Sequence, residues 1–367
     1  MPLMKSPHLL TASLLLLTTQ LPAATRTDIS LQSLAGDAIP ARLSVPDGPV
    51  PAGGHPACLL LHGSGGLLRE NGPGLTCGPA LESNYEAVFT LLESLNVIVL
   101  APDSFGRHPL FCEDNDEDYF GWVPPPLHNP GDGVPARDNA YDTRRTLTRV
   151  LDAGAGLAYL QALPQVDPLR TCALGTSNGG TIVLGLAAIA TGRHASQYAD
   201  ISQQRPLESA SQFQERQQAL ANYPTLPPGI EASFNALPVL TFAQAISPGC
   251  FLRRFIPTAD PDVVNVLDWP LDFFHPEHAR DGYLATELHV EIGGDDDVPD
   301  HCRPDGIRHR QAVAHQQAFG IDPPMWRPVE YPGFGHDLLG DNPVILEHTR
   351  QLVLRHFFDP IFADGVE

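Results

Sequence analysis

Four short runs, residues 57–61, 96–101, 171–175 and 239–245, are apolar almost throughout, and each ends at or within two residues of Gly, Pro or Ser. A strand that is apolar at nearly every position, rather than at every second one, has both faces buried. That is the condition of a strand inside a parallel sheet with helices on either side. Between and after these runs, apolar residues recur three and four apart, which predicts helices over 140–163, 179–191, 303–319 and 342–358. Weaker strand patterns at 28–34, 41–45, 288–292 and 327–331 extend the alternation toward both ends. The chain is therefore expected to be α/β, with a mostly parallel central sheet flanked by helices. No self-similarity at periods of about 20–50 residues points to a repeat architecture.

Two segments break the alternation. Residues 104–138 are rich in Pro, Asp and aromatics, and residues 192–238 are polar and rich in Gln and Ser. Neither has the uniform Gly/Ser or charged composition of a linker, so both are expected as long loop insertions over the carboxyl end of the sheet. Phe105, Phe111, Tyr119, Phe120 and Trp122 then either line a pocket or pack the first insertion on itself. At the amino end, Lys5 precedes an apolar run over 9–17, and Leu21-Pro22-Ala23-Ala24 offers small residues for cleavage. This pattern predicts a signal peptide over 1–24, a single domain over 25–367, and a secreted or periplasmic protein. The apolar run is about ten residues, half of what a bilayer requires, so stable membrane insertion is not expected. With 43 acidic against 22 basic side chains, a formal charge of −21, the chain has no electrostatic attraction for nucleic acid. Composition leaves the oligomeric state open.

Gly175-Thr176-Ser177-Asn178-Gly179-Gly180 stands directly between a predicted strand and a predicted helix. This is the setting of a nucleophile elbow, in which glycines two before and two after the serine let neighbouring chain approach a tight, strained turn. A serine hydroxyl is a poor nucleophile until a base takes its proton and a third group holds that base. His336 is the candidate base. It closes Tyr331-Pro332-Gly333-Phe334-Gly335-His336 just after the last predicted strand, and none of the other fourteen of the fifteen histidines has that setting. The acid comes from Gly293-Gly294-Asp295-Asp296-Asp297-Val298-Pro299 at the preceding strand's exit. Counting forward from Gly293 selects Asp296 and counting back from Pro299 selects Asp295; the strand end is the firmer reference, because loops absorb deletions. His62-Gly63-Ser64-Gly65-Gly66 closes the first buried strand. Its glycine-rich backbone is expected to aim the Ser64 N–H, together with that of Asn178, at a substrate oxygen as an oxyanion hole. His62 is expected to tie that turn together rather than to act as a second base.

These residues, with Ala101-Pro102-Asp103-Ser104-Phe105-Gly106-Arg107, resemble the α/β-hydrolase fold and, within it, the dienelactone hydrolase family, over most of the chain after residue 24. The resemblance implies a hydrolase with its nucleophile at Ser177, where that family carries cysteine, and so a serine esterase-like enzyme. It also implies that Arg107 contacts a substrate carboxylate, although the same arginine can pair with Asp103 or with the acidic loop that follows. The family's second arginine corresponds to Gly340, and its glutamate beside the oxyanion turn is replaced by His62-Gly63. The expectation is a Ser177–His336–Asp296 carboxylic ester hydrolase acting on a small ester or lactone without a cofactor. Its rival is a non-catalytic protein of the same fold that binds a small ligand under the insertions.

Six cysteines complete the inventory. Cys250 and Cys302 follow strands expected to be neighbours, and Cys77 and Cys112 lie in the loops after the first two buried strands. The expected disulfides are therefore Cys250–Cys302 and Cys77–Cys112, and Cys58 and Cys172, inside apolar strands, are expected as small buried hydrophobes. The acidic run 113–118 lacks the glycine and terminal glutamate of a calcium loop, and no His/Cys spacing suggests zinc, so no metal is expected.

Overall fold

A computed structural model of the chain describes residues 24–34, 36–70, 77–104, 143–189, 240–249, 286–296 and 325–359, with scattered positions between 209 and 214 and between 302 and 317. Each of the four apolar runs is a strand there: His55–Leu61 (β3), Ile98–Pro102 (β6), Val166–Thr176 (β7) and Phe242–Ile246 (β8). The weaker patterns are strands as well, Ala24–Gln32 (β1), Ala38–Pro46 (β2), Glu287–Gly293 (β9) and Trp326–Tyr331 (β10). The eight form one sheet in the order β1-β2-β6-β3-β7-β8-β9-β10. β2 runs antiparallel to both its neighbours, and the remaining pairs are parallel. A separate antiparallel hairpin, Leu68–Glu70 (β4) with Cys77–Leu81 (β5), leaves the sheet after β3.

Helices cover both faces. Ala57, Leu59 and Leu61 of β3 pack into one core with Val150, Leu157 and Leu160 of the helix Thr143–Ala162 (α2) and with Ile182 and Leu186 of the helix Asn178–Ile189 (α3). Cys58 and Leu60, pointing the other way, join a second core. That core holds Val88, Phe89 and Leu92 of the helix Ser83–Ser94 (α1). It also holds Ile345, Leu352 and Val353 of the helix Pro343–Phe358 (α5), which follows the single turn Leu338–Asp341 (α4). A predominantly parallel sheet with a reversed second strand, a strand exchange at β3 and β6, and helices on both faces is the α/β-hydrolase fold. No helix among the described residues is long and apolar enough to cross a membrane.

The sequence expectations need correction at two places. α1 was not anticipated, although its buried Tyr85, Val88, Phe89 and Leu92 follow the helical spacing. The predicted helix over 303–319 and both long insertions lie largely outside the described residues, as do Arg107, Cys112, Cys250 and the acidic run 113–118. Cys58 and Cys172, expected as unlinked hydrophobes, are joined in a disulfide. They sit opposite each other on adjacent parallel strands with their Cα atoms 4.6 Å apart, inside the range a disulfide spans. Cys302 is also disulfide-bonded, and Cys250, its expected partner, is among the residues not described.

The Cys58–Cys172 bridge closes a loop with a sequence separation of 114 and lies wholly inside the core. Replacing both cysteines by alanine is expected to destabilise the protein by about 2–5 kcal/mol, from the lost loop constraint and the cavity left behind. Urea unfolding midpoints of the wild type and the double variant measure this, and equal midpoints would show that the bridge contributes nothing.

Candidate functional site

β7 ends at Thr176 and α3 begins at Asn178, so a single residue, Ser177, makes the turn. It does so at a φ of 53°, in the left-handed region that costs a non-glycine residue about 1–2 kcal/mol. The neighbours hold it there. Ser177 donates its backbone N–H to Ile246 O of β8 at 2.8 Å, and Thr181 donates through Oγ1 to Gly249 O at 2.9 Å. The flanking glycines are required by contact rather than by their own dihedrals. A Cβ on Gly175 would lie 2.4 Å from Gly179 O, and one on Gly179 would lie 2.1 Å from Leu61 O and 2.6 Å from His62 O. All of these are backbone atoms of central elements, so Gly179→Ala is expected to cost about 3 kcal/mol or more and to reduce soluble yield. Its denaturation midpoint against wild type is the check.

The elbow faces the loop that follows β10. His336 Nε2 lies 2.9 Å from Ser177 Oγ, and His336 Nδ1 lies 2.8 Å from Asp296 Oδ2. A carboxylate only accepts, so Nδ1 carries the ring proton and Nε2 is left to accept from the serine hydroxyl. Of the two candidate acids, Asp296 makes this contact and is buried, whereas Asp295 is exposed. Backbone bonds between the two loops set that choice. Gly294 N–H donates to Tyr331 O and Asp295 N–H to Phe334 O, while Asp296 N–H turns back to Gly293 O. Gly293 makes the close approach possible, since a Cβ there would lie 2.3 Å from Gly335 O. Arg303 braces the acid loop, donating to the carbonyls of Gly293, Gly294 and Asp296 and pairing with Glu330 at 2.8 Å.

On the other side of Ser177 is the turn after β3. Gly63 packs against the serine, so that a Cβ on it would lie 3.3 Å from Ser177 Cβ. Its N–H donates to the buried Tyr85 hydroxyl at 2.7 Å, and burial raises that phenol to about 12. Beyond it, neither the Ser64 nor the Asn178 backbone N–H has an acceptor among the described residues. His62 is fully buried, with Nδ1 2.7 Å from Gly63 O. Burial first, and then the charge of Arg149, hold its imidazolium form well below the ordinary histidine range. A neutral ring whose Nδ1–H is given to the adjacent carbonyl ties the turn and is not a base for Ser177.

Arg149 was missed in the sequence. It lies on α2, nearly buried, and its guanidinium donates through Nη1 to Asn178 Oδ1 and through Nη2 to His62 O at 2.5 Å. One side chain thus ties Asn178, the residue after Ser177, to the turn that carries Ser64. An arginine in a predicted helix reads as surface, and only its partners reveal it as a brace.

No family model and no curated protein matches the sequence. Similar solved structures include one assigned as a dienelactone hydrolase from Klebsiella pneumoniae, 13% identical with a TM-score of 0.48, covering 93% of this chain and 99% of that one. Another is esterase 2 of Thermogutta terrifontis phosphorylated by paraoxon, 14% identical with a TM-score of 0.47, covering 92% and 96%. A prolyl endopeptidase is 14% identical with a TM-score of 0.48, and the match covers 91% of this chain and 38% of that one. At such identities a likeness concerns the fold alone, and the reaction has to be read from this chain's own residues.

Proposed function

We propose that the protein is a serine hydrolase that cleaves a small carboxylic ester or lactone through an acyl-enzyme. The observation that carries this reading is the hydrogen-bonded line Ser177–His336–Asp296, with the serine held in a left-handed turn at the start of a helix. Ser177 Oγ attacks the ester carbonyl carbon as its proton passes to His336 Nε2, and Asp296 stabilises the imidazolium that forms. The carbonyl oxygen takes up the negative charge between the N–H groups of Ser64 and Asn178, near the amino terminus of α3. The tetrahedral intermediate collapses, the C–O bond to the leaving alcohol breaks, and His336 returns the proton to that alcohol. Water then repeats the sequence, with His336 as base, and releases the acid and free Ser177.

The expected signal peptide over 1–24 and the buried Cys58–Cys172 disulfide both fit a protein that works outside the reducing cytosol, and we place it in the periplasm or outside the cell. Labelling with a fluorophosphonate probe followed by peptide mapping tests the reading. Modification at Ser177, absent from Ser177→Ala, is the expected result. A folded protein that stays unlabelled and hydrolyses no aryl or alkyl ester would sink it and favour a ligand-binding role.

A further inference from the structure

Glu287, His289 and Glu291 occupy alternate positions of β9, so their side chains stand on one face of the sheet. α5 covers that face. It sets His348 beside Glu291, with Nδ1 2.8 Å from Oε1, and His356 beside Glu287, with Nε2 3.7 Å from Oε2. The result is a row of ionisable groups between a sheet and a helix, where apolar packing is the norm.

Hydrogen bonds across this layer leave two acceptors unused. His289 Nε2 lies 3.0 Å from Glu287 Oε1, and because the carboxylate only accepts, the ring proton sits on Nε2 and Nδ1 presents a lone pair. That Nδ1 is buried without a hydrogen-bond partner, on a side chain that is 5% exposed. Glu291 Oε1 accepts from Gln244 Nε2 at 3.1 Å, and the carboxylate is also met by the Tyr331 hydroxyl, itself 3.2 Å from His348 Nδ1, but Oε2 is buried with no donor within hydrogen-bond distance. Unsatisfied buried acceptors are costly, and a positive centre in this layer relieves both at once, as a bound water donating both its protons also does. One ligand atom from each of His289, Glu291 and His348 lies within 4.8 Å of the other two.

We propose that His289, Glu291 and His348 form a binding site for one divalent transition-metal ion of the Zn2+ type. Two imidazoles and one carboxylate suit zinc and its neighbours, whereas calcium and magnesium require oxygen-rich shells. Zinc–nitrogen bonds of about 2.0–2.1 Å need the ligand atoms drawn together by roughly 1 Å. His348, whose side chain is 26% exposed, is the one with freedom to move and gives the ion its way in. The outer contacts are already those of a metal site. Glu287 fixes the His289 tautomer that ligates through Nδ1, Gln244 orients Glu291, and Thr349 Oγ1 donates to Gln244 Oε1 at 2.9 Å. The neighbouring trio Glu287, His289 and His356 is less suited, because Arg327 Nε at 3.2 Å and Arg355 Nη1 at 3.5 Å already neutralise Glu287. Binding exchanges the ion for the proton shared by His348 and Glu291, and it clamps α5 to the strand that leads into the Asp296 loop.

The test is zinc sulfate titrated into chelator-treated full-length protein, read by metal retained after desalting and by Tm. About one zinc per chain and a Tm that climbs with zinc concentration are expected, with magnesium chloride giving no shift. His348→Gln and Glu291→Gln should each weaken zinc binding at least tenfold, and His356→Gln should bind as wild type does. Circular dichroism establishes that the variants fold, and the half-buried His348 position carries the test if Glu291→Gln does not. No retained zinc in the wild type overturns the proposal, as does retention equal in His348→Gln, which would assign it to other histidines. Loss of zinc in His356→Gln as large as in His348→Gln also overturns it.

Discussion

Replacing Ser177 by alanine is expected to lower kcat/KM on a chromogenic aryl ester by roughly four to six orders of magnitude while leaving the fold intact. The size follows from what is removed. His336 and Asp296 keep their hydrogen bond, but the Oγ that Nε2 contacts at 2.9 Å is gone, and no acyl-enzyme can form. What remains is the oxyanion pocket and substrate binding, which accelerate attack by water only about 10³–10⁴-fold over solution. Folding should be spared, because alanine at φ 53° bears the same strain as serine and the backbone bond from residue 177 to Ile246 O does not involve the hydroxyl. Initial rates on wild type and variant, with matched circular dichroism, give the answer. A variant within tenfold of wild type would mean that ester cleavage occurs elsewhere or that Ser177 is not the nucleophile.

Much of the sheet could be read because a strand buried on both faces has to be apolar at almost every position. His55–Leu61, for example, is buried at all seven positions, and no amphipathic helix has that pattern. The edge of that logic shows at β7, where Val166–Arg170 extends the strand by five residues before the apolar run starts at Thr171, and two of them, Pro168 and Leu169, are exposed. Pairing partners were less accessible. Cys58 and Cys172 read correctly as buried, but their linkage depends on β3 and β7 being adjacent and in register, which no local pattern encodes. The same holds for the layer between β9 and α5. His289 and Glu291 are visible as alternate residues, yet His348 joins them only through the packing of a helix that begins after a further strand.

The candidate site residues followed a similar division. Ser177 and His336 were marked by glycines beside them in sequence, although the contacts that require Gly179 and Gly293 are with Leu61 and Gly335, far along the chain. Arg149 and Arg303 carry no such mark. Arg149 donates to groups distant in sequence and Arg303 to carbonyls of the loop just before it, and in both cases a guanidinium's partners are a property of tertiary structure. Asp295 and Asp296 fall between the two cases. The glycine framework delimits the acid to that loop, but which carboxylate turns inward depends on how the loop's backbone pairs with the loop after β10.

That last choice yields the second large effect. Asp296→Asn is expected to lower kcat by about 10⁴-fold, whereas Asp295→Asn, changing an exposed carboxylate, should stay within about threefold of wild type. The asymmetry is one of proton placement. The Asp296 carboxylate accepts from His336 Nδ1–H, and this keeps Nε2 unprotonated and facing Ser177 Oγ. A carboxamide in the same position can present its NH2 to Nδ1 instead. The ring then takes the tautomer protonated at Nε2, which cannot accept the serine proton, and the imidazolium formed during attack loses its counter-charge. Because the substitution is isosteric, KM should change little, so the loss belongs to kcat. Steady-state kinetics on both variants decide the matter. Equal, small effects would remove Asp296 from the mechanism, and a large loss in Asp295→Asn alone would mean that the acid loop rearranges when substrate binds.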